Sequence, residues 1–151
     1  YLILPLYSAS SPLAFISGRL DRSMYLRLKI HDYDAYEFMN RKLPQSSKVM
    51  FLYTGNDGYY LDREYFYDSY YLGYTIKNLL KLSSNGGRVA YELKKMGITH
   101  LFINWYFLHL NFQNSMSPEE RALFLEFATD YLRPMYVTGD EVVYALKGIG
   151  D

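Results

Sequence analysis

The sequence predicts a three-layer α/β domain with a small mixed sheet that ends in a C-terminal hairpin. Two stretches, Lys48–Thr54 (KVMFLYT) and Ile98–Asn104 (ITHLFIN), are apolar nearly throughout, the pattern of strands covered on both faces. Helix signals fill the chain between them, so the two strands read as parallel and joined right-handedly. Finally, Met135–Val137 and Val142–Leu146 flank Gly139-Asp140 and read as a hairpin with a two-residue loop.

The elements follow in order. Tyr1–Tyr7 is apolar with Pro5 inside it, and Ser8–Pro12 is a small polar break, so residues 1–20 read as an irregular lead-in. Residues 21–151 read as one α/β domain. From Asp21 to Lys42 the pattern is helical, with Tyr33, Tyr36, Met39 and Leu43 at three- and four-residue spacing, Asp32 as cap and Pro44 as stop. Gly55-Asn56-Asp57-Gly58 ends the first core strand as a turn. Tyr59–Tyr74 holds seven tyrosines without a period and reads as a surface excursion with a short strand at Tyr59–Leu61. A short helix is predicted over Thr75–Leu82. The next opens at Asn85-Gly86-Gly87, carries Val89, Leu93 and Met96 on one face, and closes at Gly97. Ser117-Pro118-Glu119-Glu120 is a capping box, and Leu123, Phe124, Phe127, Ala128 and Tyr131 form the apolar face behind it. The whole order gives a Rossmann-like layering.

Composition limits function. At 151 residues the chain holds one domain's worth of core. Sixteen Lys+Arg balance sixteen Asp+Glu, so no net field draws nucleic acid or anionic lipid. No cysteine is present, which excludes disulfides, thiolate chemistry and cysteine-ligated zinc. No apolar run reaches the length of a membrane span, and no secretory signal pattern occurs within these residues. The chain starts at Tyr1 without an initiator Met, which points to a piece of a longer protein.

Tests for chemistry return little. The glycines of 55–58 and 86–87 match neither a dinucleotide fingerprint nor a phosphate loop, because neither pair lies directly between a strand and a helix. His31, His100 and His109 show no i, i+4 pairing, so no metal is expected; His100 reads as a core histidine and His109 as a solvated loop residue. The acidic pairs Asp32/Asp34, Glu119/Glu120 and Asp140/Glu141 have caps and turns as their ordinary use. No catalytic residue and no cofactor are assigned. If the two core strands are parallel, the loops leaving their C-terminal ends bring Asn56, Asp57, Tyr59, Tyr60, Arg63, Asn104, Trp105 and Tyr106 to one rim. That mixture of amide, carboxylate, guanidinium and aromatic groups suits a sugar or a lipid-phosphate headgroup. The alternative use of these residues is turn formation, strand-end capping and core filling.

Tyr36–Pro44 (YEFMNRKLP), Lys48–Gly55 (KVMFLYTG), Tyr60-Leu61-Asp62-Arg63, Leu93–Asn104 (LKKMGITHLFIN) and Val142–Leu146 (VVYAL) occur in an order that resembles the C-terminal extracytoplasmic domain of bacterial polytopic membrane glycosyltransferases of the GT-C class. These are related to the dolichyl-phosphate-mannose–protein mannosyltransferases. The resemblance implies that the lead-in follows a transmembrane helix and that the domain sits on the extracytoplasmic face, tethered to its own membrane half. It implies a polyprenyl-phosphate-linked sugar as donor for the parent enzyme. The acidic catalytic motif of that class lies in the membrane half and has no counterpart here, so the isolated domain is expected to be inactive. The expected function is therefore an accessory domain aiding acceptor binding or stability; the alternative is a free-standing carbohydrate- or protein-binding module.

Overall fold

The computed structural model describes residues 15–18, 20–55, 58–68 and 73–148. The expectations for Tyr1–Tyr7 and Ser8–Pro12 lie outside the described residues. The chain divides into two units, Tyr1–Asp34 and Ala35–Asp151. In the first, Asp21 caps helix α1 (Arg22–Lys29), its carboxylate accepting from the Met24 N–H at 2.7 Å. Phe15 stacks on Tyr25, and Arg27 pairs with Asp34 at 2.7 Å. The helical pattern expected over Asp21–Lys42 is carried by two helices, because His31 and Asp32, the latter at the expected cap position, form a turn between α1 and α2 (Tyr33–Lys42).

The second unit is a mixed α/β fold. Its strands are β1 (Lys48–Leu52), β2 (Glu64–Tyr67), β3 (His100–Asn104), β4 (Leu132–Thr138) and β5 (Glu141–Leu146). They form one sheet in the order β2-β1-β3-β5-β4. β1 runs parallel to both neighbours, with Val49 opposite Tyr65 on one side and His100 on the other. β5 is antiparallel to β3 and to β4, which makes the predicted hairpin, closed by the two residues Gly139 and Asp140. Four further helices complete the unit: α3 (Tyr74–Leu82), α4 (Gly86–Lys95), α5 (Trp105–Ser115) and α6 (Pro118–Tyr131).

Alternation along the strands sorts the core into two layers. Met50, Leu52, Leu101 and Ile103 face α3 to α6, where Ile76, Leu80, Val89, Leu93, Phe124 and Phe127 are fully or almost fully buried against them. Phe51 and Phe102 face the other way, where the Tyr36 ring of α2 packs at 6.1 and 5.8 Å and Met39 and Leu43 are buried. Each such buried ring contributes about 1.5–3 kcal/mol. A strand greasy on both faces, as β1 is, therefore requires both helical layers.

Two elements differ from the sequence reading. The described part of the tyrosine-rich stretch is more regular than an excursion: Gly58–Tyr60 is a 3₁₀ turn where a strand was expected, and Glu64–Tyr67 is an edge strand. Aromatic residues on both of its faces hide its period, yet Tyr65 stacks on Phe51 at 5.4 Å. The segment after Asn104 is a helix and not a loop. Its sequence WYFLHLNFQNS mixes apolar and polar residues around the whole circumference, so no amphipathic stripe announces it.

Helices α4 and α6 approach closely at Gly86. A Cβ there would stand 2.8 Å from the Phe127 backbone nitrogen, and the Gly86 N–H donates to Glu126 Oε1 at 2.9 Å. Gly86→Ala would gain up to about 1 kcal/mol in helix propensity but meets backbone that cannot yield, at a cost of about 1–3 kcal/mol. A net loss of stability is expected in urea denaturation; a gain would mean that α6 shifts freely.

His100 in β3 is nearly buried, and its Nδ1 lies 2.8 Å from the Thr99 hydroxyl. Burial, then the charge of Arg133, lowers its pKa below the ordinary 6.5. The folded chain thus binds this proton less readily than the unfolded one. The resulting stability is full above about pH 6.5 and falls as the pH drops through the lowered value. Denaturation midpoints should decline between about pH 6.5 and 5, and His100→Asn should flatten that decline.

Candidate functional site

Because β2 and β3 lie on opposite sides of β1, the strand order reverses at β1, and the crevice beyond its C-terminal end is where open α/β sheets bind ligands. The chain builds that place with an unusual backbone. Tyr53, directly after β1, has φ +58°, a left-handed conformation that costs a bulky residue about 1–3 kcal/mol. The turn keeps the Tyr53 ring in the same apolar cluster as Leu52, where alternation would send it to the other face. Tyr53 and Thr54 are each 2 % exposed, and neither side-chain hydroxyl has a hydrogen-bond partner among the described residues. Burial, reinforced by the nearby Asp68 charge, raises the Tyr53 pKa far above its usual value, so the phenol stays neutral.

Gly73 makes room for that phenol. It too is left-handed, at φ +55°, and a Cβ on it would lie 2.3 Å from the Tyr53 oxygen. Gly73 offers α3 no side-chain cap. Asp68 supplies one from the end of β2, accepting from the Thr75 N–H at 2.7 Å and the Ile76 N–H at 3.0 Å. Its carboxylate thus occupies the helix N-terminus where an anionic ligand would otherwise sit. One turn along α3, the Lys77 ammonium donates to Asn111 Oδ1 of α5 at 3.2 Å. Burial lowers the Lys77 pKa, while the charges of Glu120 and Asp68 act to raise it.

The residues singled out from the sequence divide between two ends of the sheet. Asn104 and Trp105 are at the expected rim. Asn104 caps α5 by accepting from the Phe107 N–H at 3.1 Å, and its amide donates to Glu141 Oε1 at 3.0 Å. The Trp105 N–H of the backbone donates to Asp140 O at 2.8 Å, fastening the hairpin turn to this rim. The Trp105 indole N–H donates to the Tyr144 hydroxyl at 2.9 Å, and the ring packs edge-on against Phe124. Tyr106 is exposed beside Phe107. Asn56 and Asp57 lie outside the described residues.

Arg63 lies elsewhere. It precedes Glu64, which pairs with Lys48 at the start of β1, so it stands at the N-terminal end of the parallel strands. Its guanidinium donates to the carbonyls of Asn40 (2.7 Å), Leu43 (2.9 Å) and Pro44 (3.0 Å), closing the end of α2. The Asn40 amide in turn donates to Tyr60 O at 2.8 Å and accepts from the Asp62 N–H at 2.7 Å. The Tyr60 ring leans on Tyr36, and Tyr59 is largely exposed. The chain from Gly58 to Arg63 therefore returns across the α2 face to the start of β2, as a parallel connection must. The motifs around Asn40 and Arg63 make one fastening between α2 and the crossover.

The three histidines hold no common site: His31 Nδ1 lies 2.6 Å from Asp32, His100 is in β3, and His109 is on α5 beside Gln113. Tyr53, Thr54 and Asp68 were invisible to sequence reasoning. Comparisons with protein families, with curated proteins and with solved structures find no match to this chain.

Charge-assisted hydrogen bonds of the Arg63 type are worth about 1.5–3 kcal/mol each when buried, and less where solvent reaches them. Arg63→Ala should therefore lower unfolding free energy by about 1–3 kcal/mol. Arg63→Lys, a point charge in place of a fork, should recover only part of it. Unchanged stability in Arg63→Ala would reopen a role in ligand contact.

Proposed function

We propose that this chain is a non-catalytic, extracytoplasmic accessory domain of a membrane glycosyltransferase that uses a polyprenyl-phosphate-linked sugar, and that it aids acceptor binding from the rim around Tyr53 and Thr54. The observation that carries the reading is the division of work at that rim. The other polar side chains described there are engaged: Asp68 caps α3, Asn104 caps α5, and the Glu141 carboxylate accepts from the Asn104 amide. What stays without a partner among the described residues is the buried pair of Tyr53 and Thr54 hydroxyls, suited to binding a polar group and not to transforming it. The motif order described above supports the parent class. The fold supports the accessory role, since among the described residues no helix is long and apolar enough to cross a membrane.

The rival reading, a free-standing carbohydrate- or protein-binding module, would use the same hydroxyls. The two differ in what precedes Tyr1. In the polypeptide that carries the domain behind its membrane segment, Tyr53→Phe with Thr54→Val should slow sugar transfer to the acceptor several-fold without lowering thermal stability. The 151-residue chain alone should transfer nothing from the same donor. A reading frame that starts at Tyr1, or transfer unaffected by the double substitution, would count against the proposal.

A further inference from the structure

Helices α5 and α6 diverge enough to leave a cavity of about 350 Å³ between them, at the low end of the range for small-molecule sites. Trp105, Leu108, Phe112 and Leu125 line it, and Leu125 remains half exposed at its mouth. Two kinds of polar group interrupt this apolar wall. His109 and Gln113 satisfy each other at 2.8 Å, one helical turn apart on α5. Arg121 of α6 is different. Its guanidinium has one long contact, Nη1 to the Phe112 carbonyl at 3.4 Å, and among the described residues no carboxylate forms an ion pair with it.

Of the acidic residues near Arg121 on its own helix, Glu119 feels its charge without forming an ion pair among the described residues, and Glu120 is engaged elsewhere. The Glu120 carboxylate closes the capping box by accepting from the Ser117 N–H at 2.8 Å. Glu119 and Glu120 both line a separate hollow with Leu80 and Lys81. A half-buried guanidinium with no carboxylate in ion-pair contact among the described residues and most of its donors unused, beside an apolar cavity, is complementary to a carboxylate that brings its own apolar body.

We infer that this cavity is a binding site for a small apolar anion, an aromatic or branched aliphatic carboxylate whose hydrocarbon part rests on Trp105, Leu108 and Phe112 and whose charge meets Arg121. The cavity shares Trp105 with the rim but uses neither Tyr53 nor Thr54, and the inference stands independently of the proposed accessory function.

Trp105 is the only tryptophan, so fluorescence excited at about 295 nm, beyond the absorption of the tyrosines, reports on a residue that lines this cavity. Titration of the 151-residue chain with 4-butylbenzoate should change Trp105 emission saturably. The uncharged isostere 4-butylbenzamide should bind at least tenfold more weakly. Arg121→Gln should bring the benzoate down to the affinity of the benzamide and leave the benzamide unchanged, with circular dichroism recording that the variant is folded. No saturable change with the benzoate, or equal affinity of the unaltered chain for both compounds, would overturn the inference.

Discussion

The fold of Ala35–Asp151 depends on one constraint: β1 is paired in parallel on both edges and buried on both faces. Parallel neighbours cannot be joined by tight turns, so the chain must return across the sheet each time. The first return is made by the 3₁₀ turn and its extension to Arg63, on the α2 side. The second is made by α3 and α4, on the opposite side. Burial on both faces makes both returns necessary coverings, since Phe51 on one side and Met50 and Leu52 on the other would otherwise meet water. The β4–β5 hairpin then extends the sheet from β3, and its turn is fastened to the β3 end by the Trp105 N–H bond to Asp140.

The same constraint distributes polar groups unevenly. At the N-terminal end of β1, Thr99 exchanges hydrogen bonds with the Lys48 backbone, and Arg63 and Asn40 fasten α2 to the crossover. These contacts are local, complete and structural. At the C-terminal end the chain has to leave the sheet in two directions, and it does so through a left-handed tyrosine. The strain there is offset by burial of the Tyr53 ring, which is worth about 1.5–3 kcal/mol. The ring's hydroxyl and that of Thr54 are left without partners, each a desolvation cost of about 1–3 kcal/mol. Strain and unsatisfied polar atoms meeting at a strand-order reversal single out this end as the candidate site.

Legibility in the sequence followed the strength of local signals. Continuous apolar runs disclosed β1 and β3, and Ser117 to Glu120 disclosed the start of α6, whose capping box has both its hydrogen bonds. Gly139-Asp140 disclosed the hairpin. By contrast, β2 is four residues long with aromatics on both faces, and only its pairing with β1 makes it a strand. Helix α5 has a legible cap in Asn104 but no amphipathic stripe, because Trp105 and Phe107 pack inward while Tyr106 and Leu110 stay exposed. At the site, Asn104 and Trp105 could be placed from strand ends alone. Arg63 could not, since its position depends on where an unrecognised strand begins. Nothing in sequence marks Tyr53 as left-handed, and Asp68 caps a helix seven residues away, beyond the reach of any local capping pattern.

The central claim is that the hydroxyls at the end of β1 do no structural work, whereas their neighbour Asp68 does. Unfolding free energy of Tyr53→Phe, Thr54→Val and Asp68→Asn, measured by denaturant titration under one condition, tests it most directly. Removing an unpaired buried hydroxyl while keeping its shape should leave stability unchanged or raise it by up to about 1 kcal/mol. Asp68→Asn, which weakens two charge-assisted caps, should lower it by about 1–3 kcal/mol. Hydroxyl deletions that cost as much as Asp68→Asn would contradict the account, because the hydroxyls would then be holding the fold and not left unpaired for a ligand.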